Sequence, residues 1–280
     1  MKCSPITPSL GAEVSDVDLQ TPISPSTASQ LRQALNKHHV LVFRSQHLDR
    51  EAHKAVARCF GELHTHPSRR HLAQDQDPEF FLIDIKPDAR QSNGETWHAD
   101  ITCEEVPPRA SLLYLTNLPT NGGGDTLFTN MHDAFNELSP ELQGVLRSKR
   151  AFHDGEQDLR QYGIKLKQGH TYPANDHPVI IRHPDTGQPT LYVNQSFTSH
   201  LLDTPSWESS MLLDGLFDRI RSNVRHQCRI KWTPHTLVIW DNYSVQHQAV
   251  FDYQGFARYG ERLTVAGSGP PVAWDPGSKE

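Results

Sequence analysis

The chain has 280 residues, of which 36% are hydrophobic and 21% are charged, a composition typical of globular rather than disordered proteins. Its 27 basic and 33 acidic side chains give a formal net charge of −6, and no basic run is present to bind the phosphates of nucleic acid. No apolar run approaches the roughly 18 residues of a membrane span, and the first residues lack the apolar segment of a signal peptide. We therefore expect a cytoplasmic protein without a membrane partner.

The first third of the chain predicts both helices and strands. Ser24 is placed to cap a helix over 25–39, and Asp49 is placed to cap a second helix shortly afterwards. The apolar runs at 40–44 and 79–85, rich in β-branched and aromatic residues, predict short buried strands.

From residue 110 onwards short strands dominate. Apolar-rich runs bounded by turn residues predict strands at 110–118, 126–130, 179–183, 190–194, 229–233 and 236–241. Two helices interrupt them, one over 131–149 and one over 206–223 with Ser206 as its cap. Residues 185–187 predict the turn of a hairpin.

This pattern predicts a mixed, β-dominated fold, a β-sandwich or jelly roll with peripheral helices. We expect residues 1–280 to form a single domain, because no linker or repeat divides the chain. The polar stretch around 155–176 is interpreted as a flexible lid.

With 17 histidines the chain invites metal chemistry, but accidental metal-like spacings are also frequent in it. Of three His-x-Asp motifs, the one at 47–49 is explained by its helix cap and the one at 183–185 by its turn. The third, His98-Ala-Asp100, is neither a turn nor an obvious cap. On an extended segment residues two apart point to the same face, so this imidazole and this carboxylate can reach one ion.

The best candidate for a third ligand is His247, shortly after the buried strand at 236–241. Two imidazoles and one carboxylate form the facial triad of non-heme Fe(II) oxygenases, which leaves positions open for a co-substrate and O2. Arg258 and Arg262 follow 11 and 15 residues after His247, a spacing that puts both guanidinium groups on one side of a strand. Such a pair suits a dicarboxylate, although two surface arginines would give the same pattern.

The chain resembles the taurine dioxygenase family of Fe(II)- and 2-oxoglutarate-dependent oxygenases over nearly its whole length. The motifs that carry the resemblance stand in family order: L-G-A-E-V-S-D-V-D-L, F-G-E-L-H-T-H-P, W-H-A-D, G-G-D-T, V-N-Q-S-F-T and W-D-N…Q-H-x-A…D-Y…R…R. The resemblance implies a jelly-roll (double-stranded β-helix) core.

The same resemblance implies roles for residues at matching positions. It makes His98, Asp100 and His247 the ligands of Fe(II). It pairs Arg258 and Thr126 with the distal carboxylate of 2-oxoglutarate, and it places Arg262 near the inner carboxylate and the acid group of the substrate. Thr126 is equally consistent with the start of a strand after a glycine turn.

The resemblance also implies a substrate pocket, lined by His66, Asn93, Ile101 and Phe197. As alternatives, Ile101 and Phe197 are ordinary core residues and His66 is a structural histidine. Two aromatic positions of the taurine-specific members are replaced here, one by Arg69 and one by Gly155. The loss of these two aromatic walls predicts a wider pocket, with extra room at Gly155. His66, Arg69 and Arg262 predict excess positive charge in the pocket, unless Arg69 is a surface residue.

Together these features predict an oxidoreductase, an Fe(II)- and 2-oxoglutarate-dependent dioxygenase with O2 as its second co-substrate. It would hydroxylate a small or medium organic anion, a sulfonate, sulfate ester or carboxylate, with succinate and CO2 as co-products. Two alternatives remain open: a zinc hydrolase that uses the same two histidines and aspartate, and a non-catalytic binding protein of this fold. We also expect a homo-oligomer.

Overall fold

The computed structural model describes residues 1–70, 77–166 and 171–277. Its helices are α1 (Pro25–His38), α2 (Arg50–Arg58), α3 (Met131–Asn136), α4 (Pro140–Arg147), α5 (Gly155–Gln161) and α6 (Ser206–Ser222). Its strands are β1 (Lys2–Pro5), β2 (Ala12–Ser15), β3 (Val40–Phe43), β4 (Leu63–His64), β5 (Phe81–Ile85), β6 (Ala110–Asn117), β7 (Thr126–Asn130), β8 (Arg150–Asp154), β9 (Ala174–Pro178), β10 (Ile180–Arg182), β11 (Pro189–Leu191), β12 (Thr198–Leu201), β13 (Gln227–Ile230), β14 (Thr236–Asp241), β15 (Val245–Ala249) and β16 (Arg258–Val265).

The main sheet has eight strands in the order β1-β2-β3-β14-β6-β16-β4, with β5 paired to β16. A smaller sheet, β13-β7-β15, lies against one face of it. The other face is covered by α1 and α2. The predicted β-dominated jelly roll with peripheral helices is confirmed.

Successive side chains of the central strands point alternately to the two faces of the main sheet, and both faces are buried. In β14, Leu237 and Ile239 face the helices, whereas Val238 and Trp240 face the smaller sheet. Because successive side chains of a strand point to opposite faces, a strand buried on both sides must be apolar throughout. The site lies beside the smaller sheet, at the middle of its edge strand β15.

Several predicted elements are present and two are corrected. Ser24 and Asp49 do cap α1 and α2, each accepting a hydrogen bond from a backbone N–H in the first turn. The prediction that Ser206 caps α6 is wrong, because it is the first helical residue, after Pro205, and no side chain caps this helix. The helix predicted over 131–149 is two helices, since Ser139 caps a separate α4.

The predicted lid at 155–176 contains α5 and the first residues of β9, while residues 167–170 lie outside the described residues. That all 280 residues form one domain stays a prediction, as does any motion of the lid. Among the helices of the described ranges, none combines the length and the apolar character needed to cross a membrane.

Candidate metal centre and its cavity

Three buried side chains converge beside the middle of β15. The Nε2 atoms of His98 and His247 each lie 3.9 Å from Oδ1 of Asp100. One ligand atom from each residue lies within 4.8 Å of the other two. The structure thus brings together the three residues that the sequence selects as ligands.

Backbone pairing explains why residues so distant in sequence meet. His98 and His247 form an antiparallel bridge, in which each backbone N–H donates to the carbonyl of the other residue, at 3.1 and 2.8 Å. The imidazole of His247 packs against Phe128 and Trp240, with ring centroids 5.9 and 4.7 Å away. The smaller sheet and its core therefore position one ligand, and the bridge positions the other.

A hydrogen bond orients His98, while burial and nearby charge shift the pKa values of Asp100 and His247. The Nδ1 atom of His98 donates to the carbonyl of Thr96 at 2.7 Å, which leaves the Nε2 lone pair directed at the site. Burial opposes ionisation of Asp100, but the nearby charge of Arg262 and the hydrogen bond from Ser111 outweigh it and hold its pKa well below its ordinary value. Burial, together with the proximity of His98, lowers the pKa of His247 well below its ordinary value.

This donor set fits a divalent metal. Two imidazole nitrogens and one carboxylate on one side of a cavity form the facial arrangement that Fe(II) takes in non-heme oxygenases. The carboxylate is held by its surroundings, because Oδ2 of Asp100 accepts from Ser111 and Oδ1 accepts from Arg262, both at 2.6 Å. Such hydrogen bonds orient a ligand and tune its basicity.

A cavity of about 300 Å³ opens in front of the three side chains. Nearly all the predicted site residues line it: His66, Asn93, His98, Asp100, Ile101, Thr126, Phe197, His247, Arg258 and Arg262. Arg69 lies in a short 3-10 helix and is not among the residues that line the cavity in the described part of the chain.

Arg258 is a buried cation without an anionic partner. Its guanidinium lies 5.8 Å from the ring centroid of Trp232, and its Nε has no hydrogen-bond partner. Among the described residues it forms no ion pair, and the nearby Asp125 is bound to Arg229 at 2.6 Å. Burial lowers the pKa of Arg258. A buried guanidinium with no ion pair among the described residues is suited to bind an anion.

The other two predicted co-substrate contacts differ in their surroundings. Thr126 begins β7, as the alternative interpretation expects, and its hydroxyl also faces the cavity while accepting a hydrogen bond from Trp232 at 3.1 Å. Arg262 already contacts the carboxylate of Asp100, and it stacks on Phe81 at 4.9 Å from the ring centroid.

The predicted positive charge of the pocket needs correction. Burial, with a further contribution from Arg262, lowers the pKa of His66 to about 3, so this imidazole is neutral near neutral pH. Its Nδ1 accepts from the backbone N–H of Ser68 at 3.2 Å, which leaves Nε2–H as a donor. Arg69 is not part of the cavity wall, and the carboxylate of Asp158 adds a negative charge to it.

The apolar wall is continuous with a small core cluster. Ile101 and Phe197 are both buried there, and Tyr172 packs against them. Ile101 has a φ of 52°, a left-handed conformation that is unfavourable for a β-branched residue and is typical of strain stored at functional sites. Asn93 is exposed and lies at the edge of the cavity.

The predicted widening at Gly155 is wrong. A Cβ atom added there would collide with the ring of Tyr172 and would lie 2.9 Å from Sγ of Cys103. Tyr172, which is distant in sequence, fills the space beside Gly155 and supplies an aromatic wall to the cavity.

Sequence reasoning missed the contribution of α5. Asp158 and Leu159, together with Tyr162 just beyond the helix, line the cavity. Together with Gly155, these residues follow the i, i+3, i+4, i+7 spacing of one helical face. This spacing is visible in the sequence, but the polar composition of the stretch obscures it.

Comparisons with known proteins agree with this geometry. Residues 2–265 match the family described as taurine catabolism dioxygenase TauD, TfdA family. An α-ketoglutarate-dependent sulfonate dioxygenase of Saccharomyces cerevisiae is 33% identical, over 96% of this chain and 68% of the yeast protein. An α-ketoglutarate-dependent sulfate ester dioxygenase of Pseudomonas putida is 30% identical, over 95% and 89% of the two chains.

A solved structure gives the same result for the fold. The crystal structure of a taurine dioxygenase from Burkholderia xenovorans superposes with a TM-score of 0.82 and is 31% identical, covering 97% of this chain and 92% of that one. The match of fold, length and sequence extends through all the elements that carry the metal centre. The chain therefore belongs to the taurine catabolism dioxygenase (TauD, TfdA) family.

Proposed function

We propose that this protein is a dioxygenase that uses Fe(II), 2-oxoglutarate (α-ketoglutarate) and O2 to hydroxylate a small or medium organic anion. The proposed substrates are sulfonates, sulfate esters and carboxylates, and the proposed co-products are succinate and CO2. The relatives named for sulfonates and sulfate esters support this substrate class.

One observation carries the proposal: an unpaired, buried guanidinium shares a cavity with a two-histidine, one-carboxylate cluster. A metal centre alone would not require the Arg258 side chain, which is 3% exposed and lacks an acid partner among the described residues. A dicarboxylate that chelates the metal at one end and binds Arg258 at the other accounts for both features.

We assign His98, Asp100 and His247 as the metal ligands, and Arg258 with Thr126 as the partners of the distal carboxylate. Fe(II), when bound, supplies the oxidising chemistry together with 2-oxoglutarate and O2. Arg262 holds Asp100 in its ligating orientation and offers its remaining N–H donors to the acid groups of the co-substrate and substrate.

Other residues of the cavity are proposed to bind the substrate. His66, neutral and with Nε2–H as a donor, is placed to bind an acid oxygen. Ile101 and Phe197 would contact the hydrocarbon part and exclude water, and Asn93 would contact the substrate at the cavity edge. Arg69 is not among the proposed substrate contacts, because it does not line the cavity.

Membership of a dioxygenase family makes the chain an oxidoreductase and does not favour a zinc hydrolase. A zinc hydrolase would also not explain why the charge of Arg258 is buried in this cavity. A non-catalytic binding protein is also disfavoured, because all three proposed ligand positions hold side chains that can bind a metal ion.

The test is a screen for succinate released above the uncoupled background. Sulfonates, sulfate esters and carboxylates are compared with neutral amides or alcohols of the same size. We expect anions to be preferred by at least tenfold, since buried donors without an acceptor penalise neutral analogues. His247→Ala should release no succinate, whereas the matched control His47→Ala, at an exposed position, should behave as the parent. Preferential turnover of the neutral compounds would contradict the proposal.

We further propose that the protein is a cytoplasmic homo-oligomer that binds no nucleic acid or membrane. Trp207 and Met211 support the oligomer, because they lie one turn apart on α6 and are 67% and 58% exposed. Light scattering after size exclusion should give a mass above 31.7 kDa, and Trp207→Lys should reduce it. A monomeric mass for the parent would contradict the proposal.

A further inference from the structure

The helix α5 presents a carboxylate on the face where an amphipathic helix normally carries an apolar side chain. Gly155, Asp158, Leu159 and Tyr162 share the face that is directed at the cavity. Contacts on both sides fix this orientation: Gln161 accepts from the hydroxyl of Thr96 at 2.8 Å, and the hydroxyl of Tyr162 accepts from the backbone N–H of Gly94 at 2.8 Å. The Asp158 side chain is thus held at the wall of the cavity.

Asp158 differs from the other acidic residues of α5 and its cap. Arg160 pairs with Asp154, the residue that caps α5, at 2.8 Å and with the exposed Glu156 at 3.8 Å. Asp158 has no ion pair with any residue of the described ranges, although it is partly buried. Burying a carboxylate that has no cationic partner is costly, so Asp158 is suited to bind a cationic group of a ligand.

The other two carboxylates that line the cavity have cationic partners, unlike Asp158. Asp100 is engaged by Ser111 and Arg262, and Asp84, the remaining carboxylate of the wall, is bound to Lys86 at 2.8 Å. Asp158, which has a side-chain hydrogen bond to Ser196, is therefore the carboxylate of this wall, within the described residues, that forms no ion pair.

We propose that Asp158 is a specificity-determining residue. It selects substrates by the charge at the end of the molecule that is remote from the substrate's acid group. It attracts a protonated amine there and repels a second acid group. The inference rests on the proposed function, because it takes the acid group of the substrate to lie on the side of Arg262 and His66. A carboxylate at a few ångströms from a ligand charge changes affinity by about 1 kcal/mol or more at the dielectric of a protein surface.

The test uses three sulfonates of matched length. These are 3-aminopropane-1-sulfonate with a cationic end, butane-1-sulfonate with a neutral end, and 4-sulfobutanoate with an anionic end. Their dissociation constants are measured by calorimetry with Fe(II) and 2-oxoglutarate present and O2 excluded, and succinate release is measured separately in air. For the parent protein we expect the cationic compound to bind at least tenfold more tightly than the anionic one.

Asp158→Asn removes the charge and keeps the size of the side chain, so it should reduce that ratio at least fivefold. Asp158→Ser serves as a second variant of different size, and Glu156→Gln, on the outer face of α5, is the matched control that should keep the parental ratio. General damage to the fold would weaken all three compounds alike and would leave the ratio unchanged.

An unchanged ratio in both Asp158 variants would overturn the inference, and so would a parental preference for the anionic compound. Binding of the probes without succinate release in air would contradict the proposed function and would leave the inference supported by the binding ratio. Failure of all three compounds to bind the parent protein would contradict both.

Discussion

The side-chain amide of Asn242 holds the backbone of Asp100 from both sides. Its Oδ1 accepts from the N–H of Asp100 at 2.7 Å, while its Nδ2 donates to the carbonyl of the same residue at 2.9 Å. The Nδ2 atom also donates to the carbonyl of Pro108 at 2.9 Å, so this fully buried amide is satisfied on every side. The end of β14 thereby positions a metal ligand that is 142 residues away.

Replacing Asn242 should damage the metal centre more than the fold as a whole. Asn242→Asp keeps the size and one acceptor but loses both donated hydrogen bonds and brings a second carboxylate close to Asp100. Because groups that orient ligands typically contribute 10- to 100-fold in metal affinity, we expect Fe(II) to bind at least about tenfold more weakly. Anaerobic Fe(II) titration measures this change, and Asn136→Asp, at an exposed position, is the control. Equal Fe(II) affinity in the two variants would contradict the positioning role.

Arg258 should govern the affinity for 2-oxoglutarate. Removing one partner of a buried charge pair costs several kcal/mol, so Arg258→Ala should weaken 2-oxoglutarate binding at least about a hundredfold. Arg258→Lys should recover part of the loss, since an ammonium lacks the planar fork of the guanidinium. Calorimetric titration of 2-oxoglutarate checks both values, with the exposed Arg221→Ala as control. An unchanged dissociation constant in Arg258→Ala would place the distal carboxylate elsewhere.

Stability should begin to fall at mildly acidic pH because the folded protein contains buried neutral histidines. Burial lowers the pKa of His53 to about 3, against an ordinary value of 6.5. Between these values the unfolded chain binds a proton that the folded chain does not, so the free energy of unfolding decreases as the pH falls, by about 1.4 kcal/mol per pH unit for this residue. His53 packs against Phe80 and Tyr114.

Urea denaturation at pH 5 and pH 6 tests this sign. His53→Leu should reduce the slope of unfolding free energy against pH by about 1.4 kcal/mol per pH unit, whereas the exposed His47→Leu should leave it unchanged. A parental slope in His53→Leu would mean that His53 is already protonated in the folded protein at these pH values.

Gly155 and Tyr172 should behave as a coupled pair. Gly155→Ala places a methyl group against the Tyr172 ring and 2.9 Å from Sγ of Cys103, so it should destabilise the fold by roughly 1–3 kcal/mol through overpacking. Combining it with Tyr172→Ala removes the ring and should recover part of that loss. A double-mutant cycle by urea denaturation measures the coupling, and purely additive effects would show that the two residues do not share this space.

The metal centre was predictable from sequence because its signals are local. His98 and Asp100 stand two apart on an extended segment, and Arg258 and Arg262 stand four apart on one strand, β16. The strands were equally predictable, since β14 and its neighbours are short apolar runs bounded by turn residues.

Features that depend on contacts between distant segments were not predictable from one sequence. The space beside Gly155 is filled by Tyr172, and nothing in the local sequence indicates this pairing. The sequence explains the motif at 183–185 only by its turn, which includes His183. Its Nε2 in fact lies at hydrogen-bond distance, 2.8 Å, from Oδ2 of Asp241, the buried residue that precedes Asn242. Tertiary context alone decides such roles.

The central claim is that one cavity binds Fe(II) through His98, Asp100 and His247 and binds 2-oxoglutarate against Arg258. The most direct measurement is the visible absorption spectrum of the protein with Fe(II) and 2-oxoglutarate in the absence of O2. We predict a weak charge-transfer band that requires both additions, is lost in His247→Ala and persists in His47→Ala. A spectrum without this band, together with hydrolytic activity supported by Zn²⁺, would contradict the account.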